Sequence, residues 1–514
     1  MSKPIIIIGA GINGLVAAAD LAKHGKAVRV LERGPTPGGA VRTEELTLPG
    51  FRHDVAAMNL SLFAGSGFMA AHGEEMANHG LEFTPIDRPF AQALVPGDHL
   101  GVTTDVEETL SSFHSEADKT RWREMMADFP ARAEVVGGLL GTPMRRGPLA
   151  KFLWKSWRKL GTGKSVEIAQ FLATSPRAFL EENFEDPRLR AALASWGMHL
   201  DFAPDIAGGA IFPYLEAMAG QAMGMVIGKG GADTVTRALV KMIEAHGGSV
   251  ETGTEVTGIA HAGGKVTGVT TDSGTFAAQT VLAGLAPKHL LRMIGGSGDA
   301  RFDRGLTTFR HAPGTMMLHL ALDRPVPWLA DPLGRFAYVH IGRSLDGAAR
   351  TYAQAMAGLL PAEPLLVVGQ PTLFDPSRAP EGKHTLWVQV RMVPAEIKGD
   401  AAEKIAATDW TDALGPMTER ALDLIEAQAP GFRDTIVGHR AVSPLDLEAE
   451  NPNLVGGDQI CGSHHISQNF LFRPLRGFAD GTTPISGLHL IGAAAWPGAG
   501  TGAGSGFFTA QTLK

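Results

Sequence analysis

Cysteine is nearly absent. Cys461 is the single one in 514 residues, which excludes an intrachain disulfide and any pair of neighbouring redox-active thiols. Tyrosine is scarce too, with only Tyr214, Tyr338 and Tyr352. There is no excess of positive charge: 46 Lys and Arg stand against 53 Asp and Glu, for a net charge of −7, which argues against a nucleic-acid partner. No uninterrupted apolar run reaches transmembrane length, and no repeat or low-complexity tract is visible. Residues 4 to 19 carry no charge, but Gly9, Gly11, Asn13 and Gly14 interrupt them and only Lys3 precedes them. Reading this stretch as a signal peptide is rejected, because cleavage would destroy the pattern that follows. A cytoplasmic compartment is expected, and no metal site is.

What is present begins at that same stretch. Ile5-Ile6-Ile7-Ile8 reads as a buried strand of a parallel sheet, followed by Gly9, Gly11 and Gly14 in a Gly-x-Gly-x-x-Gly turn and by the helical run Leu15 to Ala22. Gly9 allows the tight turn, Gly11 lets a pyrophosphate approach the backbone, and Gly14 lets the helix pack on the strand. The helix N-terminus then offers free N–H groups to phosphate. A second strand, Ala27 to Leu31, closes with Glu32, an acid placed to bond the ribose hydroxyls of an adenosine. Strand, turn, helix, strand and acid together predict a dinucleotide site.

The chain continues Arg33-Gly34-Pro35-Thr36-Pro37-Gly38-Gly39-Ala40-Val41-Arg42. A paired glycine and an arginine just beyond the acid resemble the extended fingerprint of the amine oxidase and phytoene desaturase superfamily of FAD enzymes, in which this loop touches the FAD pyrophosphate. The physics agrees, since Gly38 and Gly39 permit close approach and Arg42 is a bidentate phosphate donor. The resemblance is nearest to the branch of pyridine nucleotide-disulfide oxidoreductase domain-containing protein 2. It implies FAD as the cofactor, with Asn13, Arg33 and Ala40 among the residues around it.

Residues 60 to 224 read as mostly helical, with breaks at Pro85, Pro96, Pro130, Pro143 and Pro176. Residues 145 to 164 collect Arg145, Arg146, Lys151, Lys155, Arg158, Lys159 and Lys164 around Phe152, Leu153, Trp154 and Trp157. Such a segment suits an anionic membrane surface, or else a solvated basic helix with both tryptophans in the core. Gly161-Thr162-Gly163-Lys164-Ser165 imitates the end of a P-loop, but Arg158 stands where the first glycine belongs and no strand precedes it. Residues 206 to 228 carry only Glu216 and are rich in Ala, Gly and Met, which suits either an apolar cavity wall or a core helix.

An amphipathic helix from Asp233 to His246, a strand at Val250 and a β-meander from Glu255 to Ala283 follow. The same superfamily returns to its FAD domain through this order, and there the residue matching Val256 holds the adenine. A second excursion contains strands at Thr315–Leu322 and His384–Val390 and a helical stretch from Ala402 to Ala429. The closing segment runs Leu488-His489-Leu490-Ile491-Gly492-Ala493, then Trp496 to Gly504, then a last helix. By the same resemblance Gly492, Ala493, Gly500 and Thr501 reach the flavin. Before it, Cys461 to Phe470 contains His464 and His465, candidates for a proton acceptor or ordinary loop residues.

The expected fold class is α/β: a discontinuous Rossmann-like FAD-binding domain (1–60, 228–290 and 480–514) with an inserted α+β substrate domain (61–227 and 291–479). The expected function is FAD-dependent dehydrogenation (desaturation) or isomerisation of an apolar, isoprenoid-like substrate. Oxidation of an amine, with Phe478 and Trp496 as aromatic substitutes beside the flavin, and a non-catalytic flavin-binding role are the alternatives. Gly228-x-Gly230 has Asp233 where a third glycine belongs. Without a nicotinamide site, oxygen, a quinone or another protein is the expected electron acceptor.

Overall fold

The computed structural model describes residues 3–514. Strand Ile5–Ile8 is parallel to Val28–Leu31 on one side and to Val281–Ala283 on the other. Ser249–Glu251 pairs outside the second strand, and Leu488–Leu490 outside Val281–Ala283. Counted in chain order, these five strands lie 3-2-1-4-5 across the sheet, the doubly wound arrangement whose ligand sits at the strands' carboxyl ends where the winding reverses. Helices Ile12–Lys23, Asp233–Ala245 and Gly504–Leu513 cover one face. Asp233–Ala245 buries a single stripe there, Val235, Ala238, Leu239, Met242 and Ile243 among its members, as its apolar period demands. The other face carries the three-stranded antiparallel sheet Val256–Ala262, Lys265–Thr271 and Gly274–Ala277.

The remaining chain builds a seven-stranded sheet, ordered Ile436–Val442, Gly314–Leu322, His384–Val393, Leu365–Gly369, Tyr338–Ile341, Phe90–Ala93 and His99–Val102. The last two strands come from the first excursion, and Phe90–Ala93 joins Tyr338–Ile341 in parallel. Both excursions therefore share one sheet. Along His384–Val393, Leu386, Val388 and Val390 enter a core with helix Trp410–Gln428, while Trp387, Gln389 and Arg391 turn to the opposite face, as the two-residue period of a strand requires. A buried clamp ties this part to the nucleotide part: Arg378 pairs with Asp54 and with Asp375.

The mostly helical reading of residues 60 to 224 misses strands Phe83–Ile86, Phe90–Ala93 and His99–Val102. Phe90–Ala93 is buried at every position, so no alternation marks it. Residues 206 to 228 divide into helix Ile211–Met223 and the strand that follows it. Helix Arg146–Ala173 buries none of its residues and breaks its regular geometry at Gly161, so the P-loop imitation begins at a kink between two helical runs, with a helix and not a strand before it. Trp154 and Trp157 are 56% and 51% exposed, which removes the alternative that placed them in the core. Among the described residues no helix is long and apolar enough to cross a membrane.

Candidate active site

A cavity of about 880 Å³ opens at the carboxyl ends of the parallel strands, toward the upper end of the range for small-molecule sites, roughly 300–1,000 Å³. Of the cofactor residues expected from sequence, Gly9, Gly11, Asn13, Gly14, Glu32, Arg33, Gly39, Ala40, Arg42, Val256, Gly492, Ala493, Gly500 and Thr501 all line it. Gly38 lies just behind the wall and donates its N–H to Ala10 O at 2.8 Å. Three remote stretches of sequence thus meet around one space.

The local geometry follows from residue type. Gly9 turns with φ at +92°, a conformation glycine adopts freely. A Cβ on Gly14 would collide with the Gly9 carbonyl, whereas one on Gly11 would meet no protein atom within 4 Å. Helix Ile12–Lys23 has no side-chain cap at its N-terminus, so its first N–H groups are free for an anion. Glu32 accepts Ala10 N–H at 2.7 Å on one oxygen and Gly34 N–H at 2.8 Å on the other, and each oxygen keeps a lone pair. Arg42 Nε lies 3.4 Å from Glu44 and an Nη 3.7 Å from Glu450, and the buried Nε makes no hydrogen bond. Arg33 reaches over the rim to donate to the carbonyls of Ala449 and Glu450.

These features fit FAD. An uncapped helix start and a guanidinium nitrogen that makes no hydrogen bond suit a pyrophosphate, an acid with free lone pairs suits a ribose, and open space at Gly11 suits close passage of the phosphates. Glu32 and Val256 would hold the adenosine end, Gly11 and Arg42 the pyrophosphate, and the Gly492–Thr501 segment the flavin end. When bound, FAD supplies the acceptor for a hydride or an electron pair. The chain's own work is to bind, orient and exclude water around it.

His464 and His465 do not line the cavity. Burial holds His464 well below the usual histidine range, and its Nε2 accepts Ala499 N–H at 3.0 Å, so its ring braces the loop that carries Gly500 and Thr501. His465 turns away and sits 2.8 Å from Asp201 O and 3.2 Å from its carboxylate. Tyr352 completes that group by donating to Asp201 Oδ1 at 2.9 Å. Cys461 does line the cavity, with its thiol pushed up to about 12 by burial and the nearby Asp458. Among the described residues no cluster of metal-ligand type occurs.

Sequence reasoning missed most of the cavity's other wall. Trp387, Gln389 and Arg391 supply it from one strand, Tyr338 from the strand two places along the sheet, and Trp196 and His199 from the end of a helix. The polar–apolar alternation Trp387-Val388-Gln389-Val390-Arg391 was the available signal. Arg391, lowered to about 10 by burial, donates to Thr315 Oγ1 at 2.9 Å and to His199 O at 2.8 Å, so it fixes the segment bearing His199. The turn at Gly228–Gly231 is also occupied by protein: Gly230 N–H donates to Asp375 at 2.6 Å and Ala232 N–H to Asp54 at 2.8 Å.

Fold and cavity define a flavin-dependent oxidoreductase. Residues 12–412 match the model of the family described as flavin containing amine oxidoreductase, and the chain belongs to that family. It is 26% identical to rat (Rattus norvegicus) pyridine nucleotide-disulfide oxidoreductase domain-containing protein 2, over 96% of this chain and 90% of the relative. It is 26% identical to a phytoene dehydrogenase of Streptomyces griseus, over 95% of this chain and 92% of that one. The solved structure of an oxidoreductase from Methanosarcina mazei shares the fold with a TM-score of 0.64 at 18% identity, covering 100% of both chains.

Proposed function

We propose that this FAD-dependent oxidoreductase dehydrogenates or isomerises an apolar, isoprenoid-like substrate, which enters from a lipid surface. The observation that carries the reading is the cavity wall remote from the nucleotide strands. Phe129, Val136 and Leu140 of helix Glu116–Leu140 and Phe212, Leu215 and Met223 of helix Ile211–Met223 supply it. Leu62, Leu140 and Met223 are cavity-lining and also solvent-exposed, Met223 by 72%, so the opening has an apolar rim. Phe152 packs on Gly138, which sets the basic, tryptophan-bearing helix Arg146–Ala173 beside that rim. A relative named phytoene dehydrogenase agrees with an apolar substrate.

The amine alternative draws less support. Phe478 packs on Phe302 and Trp496 on Phe470, and neither lines the cavity. Tyr338 and Trp387 do, but their rings stack on each other at 5.7 Å, which leaves no slot between them for an amine. With the Gly228–Gly231 turn filled by Asp375 and Asp54, oxygen, a quinone or a protein partner takes the electrons. Residues 1–60, 228–290 and 480–514 form the FAD-binding part in this reading, and His464 acts as a positioning residue for the closing loop. Anaerobic mixing of the yellow protein with carotenoids, other alkenes and amines tests it. Bleaching of the flavin by apolar alkenes is expected; bleaching by amines alone would overturn the substrate class.

A further inference from the structure

One carboxylate stands in the apolar part of the cavity. Glu216 lies on helix Ile211–Met223, one turn from Phe212 and from Gly220, and all three line the cavity. The other cavity carboxylates, Glu32, Glu255 and Glu450, come from the nucleotide-strand side and its neighbouring loop. Burial alone acts on the Glu216 carboxyl, raising it to about 7, with no hydrogen bond or opposite charge to offset it.

The groups around it do not neutralise it. Tyr338, on the seven-stranded sheet, feels its charge, and its phenol is raised by burial first and then by Asp54 and Glu216. His199, held far below its usual range by burial, and Arg391 line the same wall without acting on Glu216. From helix Glu116–Leu140, Asp128 and Arg132 act on Tyr214 instead. On strand His99–Val102, His99 answers to Asp98 and Arg188. A half-buried acid in an apolar wall with nothing to pair with costs stability, and such groups concentrate where chemistry needs them.

Dehydrogenation of a saturated carbon pair breaks two C–H bonds. One hydrogen leaves with its electron pair, to FAD; the other leaves as a proton, and its bonding electrons become the new double bond. We infer that Glu216 takes that proton. It becomes the neutral acid, the form its surroundings favour, and returns the proton to water after product departs. This inference rests on the dehydrogenase reading above. A carboxyl poised near neutrality matches the work, because a general base is most effective when its pKa lies near the operating pH.

Glu216→Gln and Glu216→Asp test it, each first shown to carry flavin at the wild-type level. In wild type, anaerobic flavin reduction by an apolar alkene should rise with pH through about 7. In Glu216→Gln the rate should fall by roughly 10²–10⁴-fold and lose that pH dependence, with KM little changed. Glu216→Asp should recover part of the rate and keep the dependence. Independently of turnover, the stability of substrate-free wild type relative to Glu216→Gln should fall as pH rises from 4.5 to about 7, because over that window the folded wild type holds a proton that the unfolded chain releases; a difference that does not change with pH would contradict the assignment. Wild-type rate and pH profile in Glu216→Gln would overturn the assignment while leaving the dehydrogenase reading intact. Reduction of wild type by amines alone, with Glu216→Gln raising only KM, would overturn both and make the carboxylate a counter-ion.

Discussion

The Ser505 hydroxyl donates to Asn13 Oδ1 at 2.9 Å and accepts Gly492 N–H at 2.8 Å. Residues 492 positions apart in sequence thereby close the two ends of the chain on each other, and Gly506 N–H donates a second bond to the same Asn13 oxygen at 3.2 Å. Asn13→Ala should leave these donors facing a methyl group, at a cost of about 1–3 kcal/mol. A urea titration checks the stability, and a flavin titration should show weaker binding because the Gly492 strand end is no longer tied to the glycine turn. Unchanged affinity and stability would show that the clasp carries no energy.

Gly11 and Gly14 should fail in different ways. Gly11→Val places its side chain in the cavity where no protein atom lies within 4 Å, so the chain should fold with little change in Tm and purify colourless. Gly14→Ala drives a methyl group into the Gly9 carbonyl and should lower Tm through backbone displacement. Stoichiometric flavin in Gly11→Val would defeat the placement of the pyrophosphate.

His340 predicts an acid weakness. Burial lowers it to about 3, and its ring nitrogen lies 3.0 Å from that of His199, which burial also depresses. The folded state keeps the neutral ring while the unfolded chain takes a proton below about 6.5. Stability is thus complete above that pH and falls by ~1.4 kcal/mol per unit below it for His340. Burial of His53, His319 and His464 tilts the same way. The midpoint of urea unfolding should drop between pH 7 and pH 5, and His340→Gln should shrink the drop; an equal drop in both would contradict the assignment.

Trp154 and Trp157 should matter to binding and not to folding. Both are half-exposed on a helix with no buried residue, and Arg158 lies over the Trp154 ring at 5.0 Å. The double change Trp154→Ser/Trp157→Ser should leave Tm within a few degrees and abolish co-sedimentation with vesicles of anionic phospholipid. Added salt should weaken wild-type binding, since the cations contribute through screened attraction. Equal sedimentation of variant and wild type would remove this helix from the membrane contact.

Sequence exposed what is local. The Gly9-to-Gly14 turn and Glu32 are built by neighbours in the chain, so spacing alone pointed to them, whereas the Gly38-to-Arg42 loop was read from resemblance. The closing glycines were found by resemblance. Phe90–Ala93 stayed hidden because both its faces are buried, which erases the alternation that betrays a half-buried strand. His464 and His465 looked alike in sequence, yet one braces Ala499 and the other turns to Asp201, because adjacency along a chain does not say which way a ring points. Glu216 was legible only as a lone charge in an apolar stretch; its cavity is assembled from helices and strands that no local pattern connects.

One cavity, bounded by three separated parts of the chain, should receive one FAD. Fluorescence titration of flavin-free protein with FAD tests it most directly. Saturation at one FAD per chain, and loss of that saturation in Gly11→Val, is the predicted result. A chain that folds, stays colourless and takes up no FAD would contradict it.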